Sequence, residues 1–163
     1  MLRIGLLSDT HGSIHPRLFD FFKDCHEIWH AGDIGDISVT DKLKEFRPLV
    51  AVYGNIDGNI IRSEFPLESI FIREDSKIFM THIGGYPGRY ANGIGNKLDL
   101  IQPDLFVCGH SHILKVMFDQ KRKILFMNPG AAGNSGFHTK ITLVRFTITG
   151  KSFGDLEILE IDR

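Results

Sequence analysis

Arg3-Ile4-Gly5-Leu6-Leu7-Ser8-Asp9-Thr10-His11-Gly12 is an apolar run that stops at an acid, a histidine and a glycine. Arg3–Leu7 is mostly apolar and reads as a buried strand. The chain behind it alternates. His15–Asp24 carries Leu18, Phe19, Phe21 and Phe22, a wide apolar face for a helix whose first turn accepts Pro16. Glu27–His30 is a short strand candidate. Ser38–Phe46 spaces Val39, Leu43 and Phe46 as a helix does, Pro48 stops it, and Leu49–Tyr53 is again a strand. Strand, helix, strand, helix, strand is the pattern of a parallel sheet with helices packed on it.

Beyond Tyr53 the pattern changes. Phe65–Arg73 and Lys77–Thr81 flank Glu74-Asp75-Ser76 as a hairpin, and Ile83–Tyr90, rich in glycine, reads as a long loop. A short helix is expected within Asn92–Ile101 and a strand at Leu105–Cys108. Ile113–Phe118 and Lys123–Met127 should pair across Asp119–Arg122. Asn128–Asn134 reads as a loop, and Lys140–Thr147 and Lys151–Ile158 as a hairpin turned at Thr149-Gly150. The expectation is one mixed α/β domain over residues 1–163 with an antiparallel C-terminal half. It contains no repeat, linker or low-complexity segment.

The chain has 163 residues, enough for a sizeable core, and a formal net charge of −1. No basic excess points to nucleic acid, and no run of like charge points to a tail. Met1–Leu7 is too short and too soon polar for a secretory signal, and no apolar run approaches a membrane span. Cys25 and Cys108 form no CxxC pair and read as buried thiols of a reducing compartment, so a cytoplasmic protein is expected.

The apolar runs end in ligand-type side chains: Asp9 and His11, Asp33, Asn55 and Asp57, His82, then His110 and His112. Asp9/His11 and His110/His112 stand two residues apart, and in extended chain such residues point to one side. Carboxylate, imidazole and amide oxygen together suit manganese, iron or zinc. An all-oxygen set would suit magnesium or calcium, and thiolates a structural zinc. A two-metal site also needs a shared carboxylate to hold the ions roughly 3.5–4 Å apart, and Asp33, after a glycine, is the choice. Singly each cluster has a plainer reading. Asp9 or Asp33 could cap a helix, Gly54-Asn55 could be only a turn, and a lone histidine is usually a surface or satisfied core residue. The ordered set argues for hydrolysis at two metals.

With Ser8-Asp9-Thr10-His11-Gly12, His30-Ala31-Gly32-Asp33, Tyr53-Gly54-Asn55-Ile56-Asp57, His82 and Cys108-Gly109-His110-Ser111-His112 in this order, the chain resembles the calcineurin-like metallophosphoesterase superfamily. It is most similar to the small bacterial and archaeal phosphodiesterase subgroup, to which the metallophosphoesterase-like subunit of retromer is related. The resemblance runs from Ile4 through Asn128-Pro129-Gly130. It implies a four-layer fold, two mixed sheets packed as a sandwich and flanked by helices, with a dinuclear site at one edge. It implies that Asp9, His11 and His112 hold one metal, that Asn55, His82 and His110 hold the other, and that Asp33 bridges. The ions would be divalent transition metals, manganese first, with iron, nickel or zinc as alternatives. The implied reaction is in-line attack on phosphorus by a metal-bridging hydroxide, with Asn55 orienting the phosphate.

Two departures stand out. Many members carry His after the Asn to assist the leaving group; here the residue is Ile56, which cannot donate a proton. Asp57 keeps its place at the catalytic site, in a supporting role. Relatives often read His-Gly-His where this chain reads His82-Ile83-Gly84. Further candidates are Arg89 for phosphate oxygens, His138 for the leaving group and His30 as support for Asp33. Trp29 and most phenylalanines read as core, while Phe137 and Tyr86 lie in loops. The expected substrate is a small phosphodiester, and a homo-oligomer is compatible with the sequence. The competing readings are a phosphomonoesterase acting on a nucleotide or sugar phosphate, and an interaction scaffold with a vestigial metal site.

Overall fold

The computed structural model describes residues 1–163. The elements are β1 (Leu2–Leu7), α1 (Arg17–Phe21), β2 (Glu27–His30), α2 (Ile37–Phe46), β3 (Leu49–Ala51), α3 (Asn59–Glu64), β4 (Glu68–Arg73), β5 (Ser76–Thr81), β6 (Gly85–Tyr86), β7 (Arg89–Tyr90), α4 (Ile94–Ile101), β8 (Leu105–Val107), β9 (Leu114–Asp119), β10 (Ile124–Pro129), β11 (Lys140–Thr149) and β12 (Ser152–Asp162). They build two five-stranded sheets, ordered β12-β11-β1-β2-β3 and β4-β5-β8-β10-β9. In the first, β1, β2 and β3 are parallel and β11 and β12 antiparallel. In the second, β5, β8 and β10 are parallel, with β4 and β9 antiparallel at the edges.

Strand alternation decides the layers. Ile4 and Leu6 of β1, Trp29 of β2, Ile78 and Met80 of β5, Leu105 and Val107 of β8, and Val144, Phe146 and Ile148 of β11 share one buried cluster between the sheets. Their neighbours in sequence point the other way. Leu7 and Ile28 meet Leu18, Phe22, Val39 and Leu43 of the helical flank, and Phe79, Phe106 and Phe126 meet Ile94 and Leu98 of α4. The result is helix, sheet, sheet, helix. Trp29 is fully buried edge-on against Phe71 and Phe146, so truncating it would cost roughly 3–5 kcal/mol. Gly5 lets α1 come close, since a Cβ there would lie 2.9 Å from the Phe22 ring.

The structure corrects four expectations. Ile83–Tyr90 is not all loop: Gly85–Tyr86 and Arg89–Tyr90 pair as a small hairpin. β10 runs through Asn128 and Pro129, residues read as loop, because its backbone keeps pairing with β9. The C-terminal half is mixed rather than antiparallel, since β8 lies between β5 and β10. Helix α3 had no signal, because only Ile61 of its six residues is buried. No helix is long and apolar enough to cross a membrane.

Candidate metal centre

All the candidate ligands sit just past the carboxyl ends of parallel strands, where open α/β sheets form their crevice. Asp9 and His11 follow β1, Asp33 follows β2 and Asn55 follows β3; His82 follows β5, and His110 and His112 follow β8. The first sheet therefore supplies one half of the cluster and the second sheet the other. Asp9, His11 and His112 bring one ligand atom each within 4.8 Å of one another, and so do Asp33, His82 and His110.

The i, i+2 pairs converge, but not in extended chain. Asp9, His11, Asp33, His110 and His112 all have positive φ, between 46° and 71°. Non-glycine residues pay for that conformation, and such strain gathers at functional sites. Backbone bonds hold the strained turns: Asp9 N–H to Gly32 O at 2.9 Å, His11 N–H to Asp33 O at 3.0 Å, and Gly109 N–H to His82 O at 2.9 Å. Glycine is needed where turns cross, since a Cβ on Gly109 would lie 2.1 Å from Ser8 Oγ.

Each carboxylate has one oxygen anchored and the other aimed inward. Asp9 Oδ2 accepts from Ser8 Oγ (2.6 Å) and His110 N–H (3.0 Å). Its Oδ1 faces the imidazole Nε2 atoms of His112 (3.2 Å), His11 (3.7 Å) and His82 (3.8 Å). Asp33 Oδ1 accepts from Ile56 N–H (3.1 Å), while Oδ2 lies 3.2 Å from His82 Nε2 and 3.5 Å from His11 Nε2. Asp33 Oδ2 thus faces a histidine of each group. His82 Nδ1–H donates to Ala31 O (2.8 Å), which leaves Nε2 as a lone pair toward the centre. His110 Nδ1 and Asn55 Oδ1 converge to 3.1 Å.

Asp9 Oδ1, His11 Nε2 and His82 Nε2 are buried with no hydrogen-bond partner. Buried polar atoms rarely go unsatisfied, and lone pairs pointed at one another repel unless a cation lies among them. The donor set of carboxylate, imidazole and amide oxygen fits divalent transition metals. With protons alone, the cluster behaves as an ion-pair network. Burial pushes Asp9 and Asp33 up, but the imidazoles of His112 and His82 facing them, with the Ser8 hydroxyl on Asp9 and the Ile56 N–H on Asp33, outweigh it and hold both below the usual carboxylate value. Burial pulls His82 down, but Asp33 and Asp9 outweigh it and raise it.

The remaining candidates lie elsewhere. Asp57 is buried, and its oxygens accept three backbone N–H groups, those of Ile34 (3.1 Å), Gly35 (2.8 Å) and Gly54 (2.8 Å). It ties the Asp33 turn to the Asn55 turn. His30, fully buried, accepts from Gly32 N–H and contacts Thr10 Oγ1 at 2.9 Å, supporting the same turn. Arg89 is exposed on β7, outside the walls of the cavity beside Asn55 and His82. His138 stands behind His112, with their Nδ1 atoms 3.1 Å apart. Sequence reading missed Arg62, whose guanidinium lies over the Tyr53 ring and donates to Asp57 O and Asn55 O. Its place on the unforeseen helix α3 hid it. Two cavities open on the cluster. One of about 550 Å³ is bordered by Asn55, His82, Arg62 and Lys97. The other, of about 510 Å³, is bordered by His110, His112, Ile113 and Phe137.

Comparison with known proteins gives a consistent answer. Residues 2–151 match the family model described as calcineurin-like phosphoesterase superfamily domain. A probable metallophosphoesterase of Methanocaldococcus jannaschii is 34% identical over 137 residues, covering 78% of this chain and 67% of the relative. Vps29 of Chaetomium thermophilum superposes with a TM-score of 0.80 at 14% identity, over 99% of this chain and 97% of that one. A structure described as a novel archaeal phosphodiesterase superposes with a TM-score of 0.75 at 22% identity, over 98% and 100%.

Proposed function

The chain belongs to the calcineurin-like phosphoesterase superfamily and is a metal-dependent phosphoesterase, and on that premise we propose that it is a dinuclear phosphodiesterase carried by one domain of residues 1–163. In this reading Asp9, His11 and His112 hold one divalent ion, Asn55, His82 and His110 hold the other, and Asp33 serves both. The observation that carries it is the set of orphaned, inward-facing atoms Asp9 Oδ1, His11 Nε2 and His82 Nε2 around the inward oxygen of Asp33. When bound, two such ions supply a nucleophilic hydroxide and neutralise charge on the phosphate oxygens. Manganese is the proposed ion, and iron, nickel and zinc are equally compatible with this donor set.

The chain's own residues do the positioning. Ser8 and the His110 N–H fix the Asp9 carboxylate, and the Ile56 N–H fixes that of Asp33. Asp57 acts through the backbone, since its oxygens are taken by Ile34, Gly35 and Gly54. Arg62 braces the turn from which Asn55 reaches the phosphate. Proton donation to the leaving group is the weak point. Ile56 has no proton to give, and both ring nitrogens of His138 are engaged. Esters with good leaving groups are therefore favoured.

The diester preference draws support from the two cavities on either side of the cluster, one for each ester substituent. A small soluble phosphodiester is the substrate class. The buried, unbridged thiols of Cys25 and Cys108 fit a reducing cytoplasm. The test compares bis(p-nitrophenyl) phosphate with p-nitrophenyl phosphate in Mn²⁺. The diester should be preferred, and His112→Ala and Asn55→Ala should lose most of the rate with circular dichroism unchanged. A strong monoester preference would make the protein a phosphomonoesterase. No turnover of either ester under any metal would favour a binding scaffold.

A further inference from the structure

We propose that His138 is a positioning residue that sets the hydrogen-bonding state of His112, and that Arg163 holds His138 in place. The inference rests on the metal-centre reading given above. The direction of each bond follows from the atoms. Gly133 O can only accept, so the His138 Nε2 at 2.7 Å from it carries the proton. In neutral His138 the Nδ1 is then an acceptor. The His112 Nδ1 at 3.1 Å must be the donor, since two lone pairs would repel. His112 is thereby left with a bare Nε2, and that atom faces Asp9 Oδ1 at 3.2 Å in the cluster. A histidine with a cation on one nitrogen needs this arrangement at the other.

The loop that presents His138 is built for the contact. Gly136 has φ +123°, and a Cβ there would lie 2.5 Å from His112 Nδ1 and 3.2 Å from His138 Nδ1. Only glycine lets the backbone pass so close behind the ring. The Arg163 guanidinium gathers the same loop by its carbonyls. It donates to Gly136 O at 2.8 Å and His138 O at 2.7 Å, and also to Asn134 O. The rings of His112 and His138 meet edge to face, with centroids 5.0 Å apart. Nothing else in the fold offers His112 Nδ1 an acceptor.

Zinc titration calorimetry of the wild type and of His138→Leu, His138→Asn and Arg163→Met tests this without substrate, with circular dichroism as the check on folding. Asn puts an oxygen near the place of His138 Nδ1, and Leu fills the space without an acceptor. The proposal expects Leu to weaken binding of one of two ions roughly 10–100-fold. It expects Asn to recover most of that loss, and Arg163→Met to fall between Leu and wild type. Leu binding zinc as tightly as wild type would overturn it. So would equal losses in Leu and Asn, which would make His138 a packing residue. Failure of the wild type to bind zinc would remove the metal centre itself and this role with it. Absent diester hydrolysis beside normal zinc binding would strike only the catalytic reading.

Discussion

Asp33 divides its two oxygens between structure and ligand space. Oδ1 receives the Ile56 N–H, and Oδ2 faces His11 and His82, one from each triad. Asp33→Asn keeps an acceptor for Ile56 but removes the charge that both ions would share. Metal content measured by elemental analysis after dialysis should fall for both ions together. Retention of one ion at full occupancy would contradict a shared ligand. His30 gives a second residue-level prediction. Burial lowers its pKa to about 4 from 6.5, against the pull of Asp9, Asp57 and Asp33. The folded value lies below the unfolded one, so its contribution is whole above pH 6.5 and is lost as pH falls toward 4, roughly 3 kcal/mol in all. His82, shifted upward, contributes fully below pH 6.5 and adds no slope in that window. Denaturant unfolding of chelated protein between pH 4 and 7 should show the decline, shallower in His30→Gln; an equal slope in both would contradict it. The side chains that converge on the cluster were legible in the sequence, because acid, histidine and glycine interrupt apolar runs. Their bonding was not. That Asp57 is consumed by three N–H groups and that His138 backs His112 depend on turns far apart in the chain.

The turns carry as much of the site as the strands do. Gly54, which follows β3, passes so close to Asp33 that a Cβ would lie 2.0 Å from Oδ1 and 2.3 Å from the amide nitrogen. Gly54→Ala should displace the Asp33 turn, lower stability by about 1–3 kcal/mol and weaken metal binding. Gly58, at the start of α3, is the matched control, since a Cβ added there would meet nothing within 4 Å. Thermal melts and zinc titrations of both variants read the difference, and equal behaviour would show that the close approach is unimportant. At this level the strands of the two large sheets were legible from their apolar runs, and so were α2 and α4, whereas the short β6–β7 hairpin was not. The pairing of β8 between β5 and β10 was not, since a parallel neighbour leaves no local mark in sequence. Nor was the geometry of the ligand turns. The spacing of Asp9 and His11 suggested extended chain, but the turns are made in the left-handed region and held by backbone bonds to the Asp33 turn.

The two sheets meet in one buried layer, and the two candidate metal-binding groups lie across the seam between them at their carboxyl ends. Neither sheet holds a complete set. Asp9 and His11 of the first triad come from one sheet's turns and His112 from the other's, and in the second triad Asp33 is set against His82 and His110. Alternating strands and helices in the first third made a parallel sheet packed with helices readable, and the sandwich of two mixed sheets came through family resemblance. The meeting of both sheets' loops at one point came through family resemblance rather than through any local pattern. On the proposed reading this seam holds two ions. Anomalous diffraction from crystals grown with Mn²⁺ tests it most directly. Two peaks per chain are expected, one bounded by Asp9, His11 and His112, the other by Asn55, His82 and His110, with Asp33 facing both. A single peak, or none, would contradict it.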